Sequence, residues 1–252
     1  MFAIAFATVQ DLVRRRVFVV LALFVVAMLM LSFPLRQLTI GQWYRLIVDV
    51  GLGGTELGAT LAGILLGATV VSGDIDRRTI LPILAKPINR ATFVGGRFAG
   101  LVVVILALTA SMTLGTALSL ALARQTAFLP LIQASALIAC SAILVSAIAV
   151  AFSCVASPTL AGLIGITIAL AGHLTDNLAY FGAKAHSATE RWLLRGLSHG
   201  LPNLEMLNVK GAATRALVLP LGDIGVRVTY AAAYTIVVLA LGIAAFGRRD
   251  LK

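Results

Sequence analysis

Two stretches of the chain, 98–123 and 125–175, contain no Asp, Glu, Lys or Arg. A transmembrane helix needs roughly 20 predominantly apolar residues, whereas a membrane strand needs only about ten, alternating in polarity. These runs are long and do not alternate, so they predict helices. Lipid-facing backbone must bond within its own segment, which excludes open sheets. Composition points the same way: 60% of the 252 residues are hydrophobic and 12% are charged, against about 25% charged in soluble domains. The expected fold is an all-α integral membrane protein, one transmembrane domain over 1–252.

Six spans are expected, at about 17–35, 56–73, 97–123, 131–154, 158–178 and 228–246, with a long outer segment at 179–227. Before the first, Phe2, Phe6, Val9 and Val13 fall on one face of an amphipathic interfacial helix. Arg14, Arg15 and Arg16 follow. The apolar run after them is longer than the roughly 7–15 residues of a secretory signal core and lacks an A-x-A site, so it reads as an uncleaved span. In the outer segment, 189–200 sets Trp192 and leucines among Arg191 and Arg195, a second interfacial pattern.

The net charge of +10 is placed beside membrane ends, where anionic headgroups attract Lys and Arg, and is not a nucleic-acid signal. Basic residues crowd the N-terminal segment, the short 74–96 loop and the C-terminus (Arg248, Arg249, Lys252). Short loops carry the orientation signal, so both termini and that loop are expected to be cytoplasmic. Cys140 and Cys154 lie in apolar runs and read as buried thiols rather than a disulfide.

The 72–100 loop region is a charged island in an otherwise charge-poor chain. Asp74, Asp76, Arg77, Arg78, Lys86, Arg90 and Arg97 surround the apolar centre Ile80-Leu81-Pro82-Ile83-Leu84. Thr79 can cap a short helix, and Pro82 then falls in its first turn, where no intrahelical bond is lost. Ile80, Ile83 and Leu84 share a face. The residues leave two readings open: a helix resting on lipid, or a knob seated in a partner protein. The spans themselves are expected to lack ionisable groups near their centres, which argues against a proton relay or ion-coupled carrier. The chain contains no G-x-x-x-x-G-K-[ST] loop, so it is not expected to be an enzyme, and any nucleotide must be bound by another polypeptide.

The 74–100 pattern, acid-x-acid-R-R-T-I followed by L-A-K-P-I-x-R and G-R-x-x-G, resembles the region after the second span of ABC-2 type transporter permeases. The resemblance is closest to the six-span branch that includes the permease for nitrous-oxide reductase maturation. It extends to 9–30, similar to that family's elbow helix and first span, to PNLEMLN at 202–208 and to FGRRDLK at 246–252. Asp74 stands where Glu is usual, and Arg97 where Lys is usual.

The resemblance implies a homodimer in the bacterial inner membrane, among lipids, carrying two copies of a cytoplasmic ABC ATPase subunit that binds ATP and Mg. It also leaves room for a periplasmic partner. The segment 79–84 would be the coupling helix, with Asp74, Asp76, Arg77, Arg78, Thr79, Ile80, Leu81, Ile83, Leu84 and Lys86 docking the ATPase. The pathway would run at the dimer interface along spans 1, 2 and 5, with Gly162, Gly165, His173, Asp176 and Asn177 as candidate substrate contacts. No cofactor and no metal site is expected in the chain itself. The alternative is a membrane scaffold or assembly protein that transports nothing. Gly196, Ser198 and Gly200 match the G-x-S-x-G hydrolase elbow, but no strand precedes the serine and no acid–base pair accompanies it, as that chemistry requires.

Overall fold

The computed structural model describes residues 2–12, 43–73, 90–184 and 200–247, together with positions 27, 30, 187, 189–192 and 196. Among these every regular element is helical: α1 (Phe2–Leu12), α2 (Trp43–Val70), α3 (Arg90–Leu122), α4 (Phe128–Ser153), α5 (Pro158–His173), α6 (Thr175–Lys184), a 3-10 turn at Glu205–Leu207, α7 (Lys210–Ala213) and α8 (Leu221–Gly247). Four of them, α2, α3, α4 and α8, are long and apolar enough to cross a membrane, and α5 is a shorter apolar helix. The expected first span lies outside the described residues.

Many hydroxyl side chains within these helices bond back to their own backbone, although Thr60 and Ser141 do not. Thr55 donates to Gly51 O at 2.7 Å, Thr113 to Thr109 O at 2.7 Å and Ser135 to Leu131 O at 2.9 Å. That local bond is how a Ser or Thr stays satisfied where no water reaches. Cys140 and Cys154 are not joined to each other, and the Cys154 thiol donates to Val150 O at 3.4 Å.

α4 is the central helix, packed by α2, α3, α5 and α8. Small residues set the close approaches. A Cβ on Gly63 would lie 3.2 Å from Ala142 O, one on Gly67 2.9 Å from Ser146 O, and one on Gly242 2.7 Å from Ala151 Cα. The small-residue spacings of α2 therefore serve packing within the chain, as does Gly100, whose site is filled by Ala5 and Thr8 of α1. In α1, Val9 packs on the core while Phe6 is exposed. The expected apolar stripe is thus divided: the face towards α3 is made by Ala5, Thr8 and Val9.

α2 begins at Trp43 rather than near 56. Arg45, Asp49, Glu56 and four nearby glycines make that stretch read as a loop. Packing overrides propensity: Ile47, Val48 and Leu52 are buried with Leu120 and Leu131, and Gly51 fits against Thr116.

The expected fifth span, 158–178, is broken at Leu174 between α5 and α6. Gly172 leaves a gap into which Pro202 and Leu204 fit. Leu204 N–H donates to Gly172 O at 3.1 Å, and Thr175 Oγ1 donates to the same carbonyl at 2.7 Å. The Gly172 carbonyl, which a continuing helix would have used, is taken by the incoming segment.

α5 runs antiparallel to α2. Gly162 lies by Ala68, Gly165 by Ile64, and His173 by Glu56. The segment 202–214 then carries the chain onward along the line α5 abandons. Leu204, Leu207, Val209 and Ala213 are buried there with the ends of α2 and α4.

Candidate functional site

Two groups of polar side chains stand out, one at each end of the bundle. The first gathers where α2 ends and α3 begins. Arg90, at the start of α3, donates to Phe246 O at 2.8 Å and Gly247 O at 3.1 Å. Its guanidinium lies 5.6 Å from the Phe246 ring centroid. These last carbonyls of α8 have no intrahelical partner, and a cation there also complements the helix dipole. Two turns on, Arg97 donates to Thr8 Oγ1 of α1 at 3.3 Å and lies 5.7 Å from the Phe93 ring. Beneath them Phe93, Val94, Val71 and Phe246 are buried together. The end of α8, the start of α3 and α1 are thereby clasped into one unit at the end of the bundle from which 74–89 departs. Of the island, Arg90 and Arg97 are described. Asp74, Asp76, Arg77, Arg78, Thr79, Ile80, Leu81, Ile83, Leu84 and Lys86 lie outside the described residues.

The second group is at the opposite end, around the break after α5. Glu56 of α2, its side chain 12% exposed, is ion-paired with Lys210 at the start of α7. Glu56 Oε1 also lies 3.7 Å from His173 Nε2, and His173 Nδ1 lies 3.7 Å from Glu205 Oε2. Asn208 Nδ2 donates to Glu205 Oε1 at 3.0 Å, and the Lys210 N–H donates to Asn208 Oδ1 at 3.3 Å. The contacts close into a ring, Glu56–His173–Glu205–Asn208–Lys210. The two carboxylates face opposite nitrogens of one imidazole, so they do not converge on a single point. Consistent with this, no group of three His, Cys, Asp or Glu among the described residues could hold a metal ion.

Further bonds fasten the same outer segment. Tyr234 OH donates to Gly200 O at 3.1 Å, and Asn203 N–H donates to Tyr230 OH at 2.8 Å. Arg227 donates to Met206 O. Tyr44 OH donates to Ala213 O at 3.0 Å. Gln133 of α4 clamps Leu219 through both backbone groups, its Nε2 donating to Leu219 O at 3.1 Å and its Oε1 accepting from Leu219 N–H at 3.0 Å.

The candidate substrate contacts divide accordingly. Gly162 and Gly165 are buried where α5 meets α2 and serve that packing. His173 belongs to the ring. Asp176 is exposed and accepts from Asn203 Nδ2 at 2.8 Å, which ties α6 to the outer segment. Asn177 is exposed on α6, and Trp192 is 78% exposed on a helical stretch, 189–192. Ser198 of the G-x-S-x-G match lies outside the described residues.

Glu56, Glu205 and Lys210 were missed by the sequence reading, which put Glu56 at the edge of the expected second span. Glu56 sits midway along a 28-residue helix. The available signal was the helical register, which continues unbroken from Trp43 through GLGGTELG once the glycines are taken as packing positions.

No family model matches the chain, and no curated protein matches it either.

Proposed function

We propose that this chain is the membrane-embedded permease subunit of an ATP-binding cassette transporter. A separate cytoplasmic ATPase docks on the 74–89 segment and drives export, or mechanical work across the membrane. The observation that carries this reading is the clasp at the inner end. The segment that would receive the ATPase joins α2 to α3, and α3 is bound there through Arg90 to the end of α8 and through Arg97 to α1. A push on 74–89 therefore reaches several helices as one body. The sequence has no phosphate-binding loop of its own, and the charged, apolar-centred island has the composition of a docking knob.

A pair of chains would form the working unit. α2 and α5 lie side by side and leave Leu57, Leu61, Leu65, Leu163 and Leu170 exposed as one apolar face, the face on which a pathway between two copies would form. Both termini and the island then face the cytoplasm, and the ring at Glu56 faces outward.

The test is co-purification of the tagged chain from its native membranes. Wild type should bring down an ATPase, and Ile83→Asp should lose it while leaving the chain folded and in the membrane. An ATPase retained by Ile83→Asp refutes the docking assignment. A complex whose ATP hydrolysis responds to no transported compound, but does respond to an outer partner protein, favours the scaffold reading.

A further inference from the structure

The segment 202–214 stands where a full-length α5 would have continued, yet it is held by side chains rather than by helical backbone. Its regular structure amounts to a three-residue 3-10 turn and a four-residue helix, too short to be stable alone. Its buried side is a compact apolar set, Leu204, Leu207, Val209 and Ala213, carried on one short segment that can leave as one piece without unwinding a long helix. Its hydrogen bonds run to Gly172 of α5, to Thr175 and Asp176 of α6, to Arg227 and Tyr230 of α8, and to Tyr44 of α2. The charged fastening to α2, among the described residues, is Glu56 with Lys210. α2 is also the helix that ends, at Val70, just before the connecting segment.

We propose that 202–214 is a movable plug closing the outer end of the bundle, and that Glu56, Lys210 and His173 form the latch holding it shut. A desolvated ion pair discriminates sharply between two positions. It is strong in contact, and a slide of one helical turn, about 5.4 Å, removes it. The ring also supplies the second state. His173 Nε2, 3.7 Å from Glu56, offers the carboxylate another hydrogen-bonding partner when Lys210 withdraws, and Glu205 leaves with the plug. Glu56 is therefore not stranded in the interior, the outcome that makes breaking a buried pair so costly. Withdrawal of Lys210 with the plug, α2 and α5 keeping their places, thus exchanges partners at one carboxylate and frees the plug. The permease reading enters only in saying what drives the withdrawal; the latch is a property of the chain alone.

The test is amide hydrogen exchange on the purified chain in lipid nanodiscs, without any ATPase. In wild type, the amides of 204–213 should exchange together and faster than those in the interior of α4. Lys210→Met and Glu56→Met should each speed exchange over 204–213 at least tenfold while α3 and α4 keep their wild-type rates. The charge swap Glu56→Lys with Lys210→Glu should restore most of the protection. The proposal is overturned if the single variants leave 204–213 at wild-type rates, if α3 and α4 accelerate equally, or if the swap restores nothing. Should no variant fold, wild-type 204–213 exchanging as slowly as α4 overturns it, and faster joint exchange sustains it. Failure of wild type to retain an ATPase would sink the permease reading and leave these rates untouched.

Discussion

Gly242 and Gly225 occupy the same helix and differ only in what a methyl group would meet. On Gly242 a Cβ would lie 2.7 Å from Ala151 Cα, whereas on Gly225 nothing comes within 4 Å. Gly242→Ala must push α8 off α4, and an overpacked contact of this kind costs about 1–3 kcal/mol. Gly225→Ala removes backbone freedom at no steric cost and should stabilise by about 0.5–1 kcal/mol. Thermal unfolding of the two variants in detergent should therefore move in opposite directions. Equal shifts would mean that α8 does not pack on α4 through Gly242. The sequence does not say which glycines serve close helix approach, because a glycine spacing specifies a smooth face and not the helix that fills it.

Some elements were easier to read than others. α3, α4 and α8 cover nearly all of the expected spans, although α3 and α8 each begin seven residues earlier, since uncharged apolar runs have few alternatives to a membrane helix. α2 and α5 departed from expectation for one reason. Glu56 and His173 are tolerable inside the bundle only because Lys210 and Glu205 arrive from 150 and 30 residues away, and such long-range pairing leaves no periodic trace. The Gln133–Leu219 clamp is of the same type: a lone Gln in α4 that reads as a polar blemish fixes where the chain turns into α8. Gln133→Leu leaves the Leu219 amide and carbonyl without that partner, a loss of about 1–3 kcal/mol. Hydrogen exchange should rise at Leu219 and the start of α8, with α2 and α3 unaffected. An unchanged Leu219 amide would show that the clamp contributes nothing.

For the whole molecule, the leucine face shared by α2 and α5 makes a spatial prediction about assembly. With Cys140 and Cys154 replaced by Ala, a single cysteine at Leu61 or Leu65 should cross-link two copies in native membranes. A cysteine at Leu114 or Leu118, equally apolar and exposed on α3, should not. Cross-linking at the α3 positions in preference to α2 would move the contact between copies to another face and take the proposed pathway with it. Composition and run length were enough to read a helical membrane protein with a charged connecting segment. The pairing of its two ends with two different polar groups required the fold.

The brevity of α5 also bears on how the chain is made. Its 16 residues span about 24 Å, short of a hydrocarbon core about 30 Å thick, so α5 is a poor candidate for release into lipid by itself during synthesis. Only residues 154–157 separate it from α4, and the two can enter as a hairpin. The segment 200–214 is fastened in part by Arg227, Tyr230 and Tyr234, side chains that do not exist until α8 has been translated. The region around the break after α5 is therefore among the last parts of the molecule to mature, and a ribosome stalled before α8 would leave an assembly intermediate in which that segment is only partly fastened.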